Sequence, residues 1–308
     1  MDSYRGYDSP PQPDTGFVRS ALVDGLLLES QLGVNPYRFG FIASTDTHLG
    51  TPGAVEEDRF PGHGGAGVPA GEAVPVGLPD KLEYNPGGLA VVWAKENSRD
   101  ALFEAMQRRE AYGTSGPRII SRFFAGWDYP ENLCDAPDAV EQAYAGGVAM
   151  GGRLASVESG QPRFLVYASQ DNGTDDSPGL PLQRLQLVKG WLDEDGQRHE
   201  QVLDVAGGAD NGAGVDTGTC ETFGEGAAQL CAVWTDRDFN ADQSAYYYSR
   251  AVENPSCRWS QRICVANGVD CSLPETISAG FEGCCATEHR PVVQERAWSS
   301  PIWYTPDR

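Results

Sequence analysis

A short apolar run that ends in an Asp-x-His pair is the sequence feature that most constrains the fold of this chain. The run covers residues 39–43, and the polar residues 44–48 that follow it include Asp46 and His48. Apolar runs of this length are typical of strands that are covered on both faces, as in parallel sheets. We therefore predict a buried strand whose C-terminal end carries Asp46 and His48.

Asp46 and His48 are candidate metal ligands. Residues two positions apart in an extended backbone project to the same side, so both side chains would face one site. A carboxylate and an imidazole together can bind a divalent ion, and the functional groups of α/β barrels lie at the C-terminal ends of the strands. Because Asp-x-His is a short motif, a surface or capping role without metal is the alternative.

The charge of the chain limits its partners. Its 308 residues carry a formal net charge of −21 at pH 7. Nucleic-acid binding needs a basic surface, and anionic membranes repel an acidic one, so we expect neither partner. No apolar run is long enough to span a bilayer, and the polar first residues do not form a signal peptide.

Eight cysteines favour an oxidising compartment. Seven of them lie between residues 220 and 285, and none forms a Cys-x-x-Cys motif, which argues against a zinc ribbon. Cysteines in a loop-rich, acidic chain favour disulfides, and hence a periplasmic or extracellular location. Cys284 and Cys285 are expected to have different partners, because a bridge between adjacent residues is strained. The alternative is eight reduced thiols in a cytosolic protein.

The first third of the chain shows helical and strand patterns in turn. Apolar spacing predicts a helix over 18–32 that stops at Gly33, and a second buried strand over 88–94. Asn97 is a candidate N-cap of the helix that follows, with Gly113 as its C′ residue. Alternation of this kind indicates an α/β unit.

From residue 119 the pattern changes to short strands that are separated by turns. Such strands are predicted over 119–124, 164–168, 182–188 and 201–205. Spacing of this type indicates a β-sandwich-like module.

Two loops carry further candidate residues. Residues 51–85 are rich in Gly and Pro, and His63 is either a substrate or metal contact or a flexible residue of the loop. Arg118 ends the polar turn 114–118. It can hold an anionic substrate group, as a catalytic residue, or it can be a structural arginine.

Several motifs in combination resemble the DUF3604 family, from about Phe17 to the C-terminus. They are GVNPYRFG (33–40), STDTH (44–48), VWAKEN (92–97), YGTSGPR (112–118), QLVKGW (186–191), YYSR (247–250), ENPSCRW (253–259) and ERAW (295–298). The family is similar in turn to the PHP (polymerase and histidinol phosphatase) metallohydrolases.

The resemblance implies a fold of class α/β plus β. PHP enzymes bind a cluster of divalent ions in a distorted (β/α)7 barrel, and Asp46 and His48 match their last Asp-x-His motif. Their first motif, His-x-His, is absent from this chain. We therefore expect a linker or disordered segment over 1–16, the last strands and helices of the barrel over 17–118, and a β-rich module over 119–308.

The resemblance also implies an activity. It suggests metal-dependent hydrolysis of a phosphoester or ester-like bond in a small molecule, with manganese, zinc or iron held by Asp46 and His48 and an anion steadied by Arg118. The missing N-terminal half of the same protein is then the expected partner, and the isolated chain is expected to be inactive. The alternative is a secreted, disulfide-bonded β-sandwich that binds or supports without catalysis.

Overall fold

The fold is that of a computed structural model, in which the described residues are 18–48, 50, 57, 60–64, 77–82, 84–157 and 159–306. The linker expected over residues 1–16 lies outside them. The α-helices in this part of the chain are α1 (Val18–Leu32), α2 (Arg99–Gln107), α3 (Ala139–Gly146) and α4 (Trp259–Ala266). No helix in these ranges is long and apolar enough to cross a membrane.

The helix predictions are largely confirmed. α1 has the predicted bounds, and Gly33 follows it with a φ of 75°, a left-handed conformation that suits glycine. α2 begins one residue later than expected, because Ser98 is the N-cap and its side chain accepts from the backbone N–H of Ala101. Gly113 is not its C′ residue, since α2 ends at Gln107 and Gly113 lies in a strand.

Strands account for most of the regular secondary structure after residue 110. In chain order they are β1 (Leu89–Val92), β2 (Ala111–Thr114), β3 (Ile120–Gly126), β4 (Gly147–Ala149), β5 (Arg153–Leu154), β6 (Arg163–Ser169), β7 (Leu182–Leu192), β8 (Arg198–Gly207), β9 (Gly214–Val215), β10 (Thr222–Phe223), β11 (Gln229–Thr235), β12 (Ala245–Glu253), β13 (Ser256–Cys257), β14 (Val292–Val293), β15 (Arg296–Ser299) and β16 (Ile302–Tyr304). The strands predicted over 88–94, 119–124, 164–168, 182–188 and 201–205 correspond to β1, β3, β6, β7 and β8.

An eight-stranded sheet organises the fold. Its central strand β12 pairs with β7 on one side and with both β15 and β16 on the other. The sheet continues from β7 to β8, from β15 through β2 to β1, and from β16 to β5. Every pair is antiparallel except β16 with β5. A second sheet has four antiparallel strands in the order β11-β6-β3-β4.

The two sheets share one hydrophobic core. Leu185 and Leu187 of β7 and Tyr247 of β12 meet Phe123 and Phe164 of the smaller sheet there. The rings of Phe164 and Tyr247 have centroids 4.3 Å apart. Because alternate residues of a strand point to opposite faces, every second side chain contributes to this core. Each large apolar side chain buried in this way stabilises the fold by about 2 kcal/mol.

Helices cover the outer faces of both sheets. α1 packs Leu22 against Tyr246 and Tyr248, which flank Tyr247 and point away from the shared core. On the opposite side of the molecule, Ala143 of α3 packs with Leu165 of β6. The layers are therefore α1, the eight-stranded sheet, the four-stranded sheet and α3, so the central strands of both sheets are covered on both faces.

Four disulfides tie the chain together, and the prediction that Cys284 and Cys285 have different partners is confirmed. The bridges are Cys134–Cys231, Cys220–Cys257, Cys264–Cys284 and Cys271–Cys285. Three of them fall in or next to the C-terminal lobe, which we define as residues 257–290 and which contains α4. Four disulfides are consistent with an oxidising, extracellular or periplasmic location.

The expected barrel is not observed. The described residues form no closed barrel, and β1 and β2 pair antiparallel although α2 connects them. A (β/α)7 barrel needs parallel neighbours at this point. Instead β2 pairs with β15 from the end of the chain, so the eight-stranded sheet contains strands from both sides of the expected boundary at residue 118.

The prediction of a buried strand over residues 39–43 is wrong. Residues 38–48 belong to no sheet, and Ile42 is 67% exposed. The segment crosses the β1–β2 pair, where the N–H of Gly88 donates to the carbonyl of Ser44 (2.8 Å). At Gly113 an added Cβ would lie 2.9 Å from the carbonyl carbon of Ile42, so glycine permits the close approach. An apolar run does not distinguish such a segment from a strand.

Candidate functional site

Polar side chains gather at one end of the eight-stranded sheet, which we call the polar sheet end and define by Asn85, Ser115, Glu253 and Glu295. Here β1 begins, β2 ends, and the end of β12 lies opposite the start of β15. The N–H of Ser115 donates to the carbonyl of Arg296 (2.9 Å), and the N–H of Glu253 donates to that of Glu295 (2.9 Å). Antiparallel pairing thus brings residues far apart in sequence to one edge.

The segment that carries Asp46 and His48 reaches this end beside Gly87. A Cβ on Gly87 would lie 2.2 Å from Cα of Thr45, so only glycine allows the two backbones to pass. Asp46 has a φ of 50°, in the left-handed region that Asp tolerates better than most residues. The backbone is therefore not extended at Asp46, and the alternation argument that placed the Asp46 and His48 side chains on one side does not apply.

Both candidate ligands are exposed, whereas His63 is held nearby. The N–H of His48 donates to the carbonyl of His63 (2.7 Å). Asp80 accepts from the N–H of His63 (2.9 Å), and its carboxylate lies 2.6 Å from Nδ1 of the imidazole. The rings of Phe60 and Tyr84 contact the imidazole edge to face. His63 is thus fixed by its neighbours, in contrast to the alternative of a flexible loop residue.

The His63–Asp80 pair has the arrangement that orients imidazoles in metal sites. When a carboxylate accepts the Nδ1 proton, the tautomer is fixed and Nε2 is left as the free ligand atom. Within the described ranges, however, no three His, Cys, Asp or Glu side chains are arranged to hold a metal ion. An oxygen donor from Asp46 and a nitrogen donor from His48 would suit manganese, zinc or iron as part of a larger ligand set.

Three carboxyl groups are buried at the polar sheet end. Glu253 and Glu295 are almost inaccessible, and Oε2 of Glu57 is also out of contact with solvent. The hydroxyl of Ser115 donates to Glu295, and Nδ2 of Asn85 donates to the carbonyl of Ser115 (3.4 Å). Charged groups are rarely buried in this way without partners.

Burial shifts the pKa values of all three groups upward. Burial and the neighbouring Glu295 raise the pKa of Glu57 well above its ordinary value. Burial, with Glu295 and Asp171 nearby, raises the pKa of Glu253 to about 9. Burial also raises the pKa of Glu295, although the hydrogen bond from Ser115 opposes this shift.

Sequence reasoning did not single out these three acids. Glu253 and Glu295 each begin one of the motifs that carry the family resemblance, and this was the available signal. Residue type alone does not distinguish a buried carboxyl group from the many exposed ones of an acidic chain, because burial depends on the pairing of distant strands.

Arg118 lies on the loop that follows β2, and its side chain is exposed. Its backbone N–H donates to Oδ2 of Asp171 (2.7 Å). Asp171 is in turn one of the charges that raise the pKa of Glu253. The structure therefore places the backbone of Arg118 beside Asp171, whereas Asp46 approaches the polar sheet end from the side of β1.

Comparison with known proteins identifies one family. The chain matches the family model described as "Protein of unknown function (DUF3604)" over residues 2–306. No curated protein matches the chain, and neither does any solved structure. The match covers nearly the whole sequence and includes the Asp46–His48 segment, the turn at Arg118 and all three buried acids. The chain therefore belongs to the DUF3604 family.

Proposed function

We propose that the chain is the C-terminal portion of a metal-dependent hydrolase that acts on a phosphoester or ester-like bond of a small molecule. The observation that carries the proposal is the position of exposed Asp46 and His48 beside His63, at the polar sheet end. The motif likeness to PHP metallohydrolases supports the same activity.

Each of these residues has a proposed role. Asp46 and His48 hold a divalent ion, which is manganese, zinc or iron, and Asp80 orients His63 toward the same space. When bound, such an ion lowers the pKa of a water molecule and polarises the bond under attack. Because this chain provides few ligands, the N-terminal half of the same protein supplies the others.

Arg118 is proposed to bind an anionic group of the substrate. Its side chain is exposed on the loop that follows β2, and arginine pairs well with phosphate or carboxylate oxygens. The hydrogen bond from its backbone N–H to Asp171 fixes the position of the loop, so the Arg118 side chain extends from a backbone that is held in place.

A second candidate function is a secreted binding or support module without catalysis. The four disulfides and the layered sheets favour it, since they are typical of such modules. The two functions differ in one measurable property, which is turnover that depends on Asp46 and His48.

The test compares the 308-residue chain with a form that includes the upstream half. Both are assayed on generic phosphomonoester, phosphodiester and carboxylester substrates with added manganese or zinc. We expect turnover in the longer form, little in the shorter one, and a loss of about 100-fold or more in Asp46→Ala or His48→Ala, since each removes a ligand.

The matched control is His199→Ala, because His199 is an exposed histidine on β8. It should leave turnover unchanged. Full activity of the Asp46→Ala variant would contradict the proposed site, and robust turnover by the shorter chain would contradict the assignment of ligands to the upstream half. Turnover by neither form would favour the support module.

A further inference from the structure

Three arginines lie together on the face of the eight-stranded sheet that also carries α1. Arg184 belongs to β7, Arg250 to β12 and Arg296 to β15. Val252 is paired with both Arg184 and Arg296, and Arg250 lies two positions before Val252, on the same face. Residues that are diagonal to each other across neighbouring strands are within reach of long side chains. We call these three residues the arginine face.

The arginine face is an exception in an acidic chain. The sequence holds 44 Asp and Glu residues against 23 Lys and Arg. Among the described residues, however, Arg250 has no carboxylate within ion-pair distance, and Arg184 has only Asp204 (3.5 Å). Glu253 and Glu295 are each adjacent in sequence to a residue of this face, so they point to the opposite one. Positive charge is therefore concentrated on one side of the sheet.

Arg250 is held in place by a neutral side chain. Its Nε donates to Oε1 of Gln186, directly opposite on β7 (2.6 Å), and Nε2 of Gln186 donates to Oδ1 of Asp204 (2.7 Å). Neither Nη group of Arg250 has a hydrogen-bond partner in the described part of the chain. Partial burial, together with Arg296 and Arg184, lowers the pKa of Arg250. The guanidinium is thus oriented, with both Nη groups left for another acceptor.

Two further donors on this face lack an acceptor. The hydroxyl of Tyr248 and Nε1 of Trp298 are out of contact with solvent and have no partner among the described residues. Trp298 is directly opposite Arg250 on β15, and Tyr248 precedes Arg250 by two positions on β12. Indole and guanidinium N–H groups can only donate, and buried donors are nearly always paired. Water would satisfy such donors one by one, but it would leave the charge of the arginines unbalanced.

We propose that the arginine face binds a tetrahedral oxyanion, which is the phosphate or sulfate group of a ligand. Arg250 is the main contact, because its planar fork matches two oxygens of such a group. Trp298 and Tyr248 donate to further oxygens, and Arg184 and Arg296 add positive charge that favours a dianion over a carboxylate. All three arginine side chains are partly exposed, so the anion reaches them from solvent.

The proposed anion site is separate from the hydrolase proposed above and does not rest on it. Four of its residues come from two of the motifs by which the family was recognised, YYSR (247–250) and ERAW (295–298). The proposed function gives no role to the arginines or aromatic residues of these motifs. The site also lies on a different segment from Arg118, which follows β2.

An NMR titration of the full chain with inorganic phosphate tests the site, at constant ionic strength and at a pH where phosphate is a dianion. The indole N–H signal of Trp298, assigned with Trp298→Phe, should shift saturably with one phosphate per chain. Arg250→Gln should weaken binding about tenfold or more, because it removes a charge-assisted hydrogen bond. Arg237→Gln removes the same charge from the exposed turn between β11 and β12 and should bind phosphate like the wild type.

Tyr248→Phe keeps the proposal testable even if Arg250→Gln does not fold. Without phosphate, loss of an unpaired buried hydroxyl should leave the urea midpoint unchanged or raise it. The affinity for phosphate should nevertheless fall by about threefold to tenfold, since one donor to the anion is lost. A lower midpoint together with an unchanged affinity would overturn the proposal, because the hydroxyl would then have a partner within the protein.

A comparison of anions identifies the class of ligand. Binding of phosphate without sulfate would identify a phosphate group, and binding of both would identify tetrahedral dianions in general. Acetate that binds as tightly as phosphate would contradict the tetrahedral assignment. The proposal is overturned by the absence of a saturable shift, by equal affinity in the wild type and Arg250→Gln, or by a loss of binding in Arg118→Gln alone, which would place the anion at Arg118.

Discussion

Lys189 and Asp236 form an ion pair in the interior between the two sheets. Their side chains are almost fully buried, and Nζ lies 2.5 Å from Oδ2. The hydroxyl of Tyr247 donates to the same oxygen (2.7 Å), and the lysine also faces the ring of Trp191. A buried pair of this kind contributes little net stability, but removal of one partner leaves a charge without compensation.

We therefore predict that Asp236→Asn destabilises the protein strongly. The amide has the same shape but no charge, so Lys189 remains buried as an unpaired cation. The expected loss is about 3–5 kcal/mol in the free energy of unfolding, measured by urea titration. Asp238→Asn, two residues on at an exposed position, should change it by less than about 0.5 kcal/mol. A loss in Asp236→Asn as small as that in Asp238→Asn would contradict the prediction and would show that Lys189 finds another partner.

At the scale of single residues, the sequence shows which residues are candidates for a site better than it shows how their side chains are oriented. Asp46 and His48 were found from their motif, yet the left-handed backbone at Asp46 cannot be read from an Asp-x-His pattern. The same holds for Glu57 and Glu295, which are neighbours in the fold although they are more than 200 positions apart in the sequence. Spacing along the chain reports on local geometry, and neither feature is local.

At the scale of elements, strands with turn residues at both ends were predictable from the sequence. The central strand β12 was not. β3, β6, β7 and β8 are bounded by turn residues, which marked them in the sequence. β12 lies at the centre of its sheet, with buried side chains on both faces, so Tyr246, Tyr247 and Tyr248 show no alternation. A strand that is covered on both faces gives no period-two signal.

The disulfides that hold different elements together should differ in how much each stabilises the protein. Cys134–Cys231 links residues 97 positions apart and joins the turn before α3 to β11. Cys271–Cys285 spans 14 positions within the C-terminal lobe. A crosslink that closes a longer loop removes more entropy from the unfolded chain, so the costs of deletion should be about 4.7 and about 3 kcal/mol respectively.

Two double variants measure this difference. Cys134→Ala with Cys231→Ala, and Cys271→Ala with Cys285→Ala, are compared with the wild type by urea unfolding without reductant. A thiol titration of the denatured wild type should find no free cysteine. The entropic account fails if deletion of the short crosslink costs more than deletion of the long one.

At the scale of the whole molecule, buried acids predict that stability falls as pH rises. The pKa of Glu253 is about 9 in the folded protein, compared with an ordinary value of 4.5. Between these values the unfolded chain has released the proton and the folded chain has kept it. The folded state therefore binds more protons, and its stability declines through this window by up to about 1.4 kcal/mol per pH unit.

Urea unfolding at intervals from pH 5 to 9 checks this prediction. Glu253→Gln cannot ionise, so its stability should vary less steeply with pH than that of the wild type. Glu194→Gln replaces an exposed glutamate on the turn between β7 and β8 and should keep the wild-type slope. A slope that is unchanged in Glu253→Gln would assign the pH dependence to other groups.

The types of secondary structure in each part of the chain were predictable from the sequence, but the pairing of the strands was not. Sequence indicated mixed helices and strands followed by a β-rich region, and this is observed. The barrel was inferred from short motifs, which describe the residues of a site and not the neighbours of each strand. The antiparallel β1–β2 pair and its junction with β15 depend on contacts between distant parts of the chain.

The position of β15 has a consequence for synthesis on the ribosome. β15 joins β2 to β12, and β16 joins β5 to β12, yet both strands lie within the last residues of the chain. A nascent polypeptide that lacks residues 296–304 has the β1–β2 pair separated from β12. The eight-stranded sheet therefore assembles only after residues 296–304 have been synthesised, through contacts of very high sequence separation, and this topology makes folding slow. Until then the exposed edges of β2 and β12 are surfaces that a chaperone can recognise.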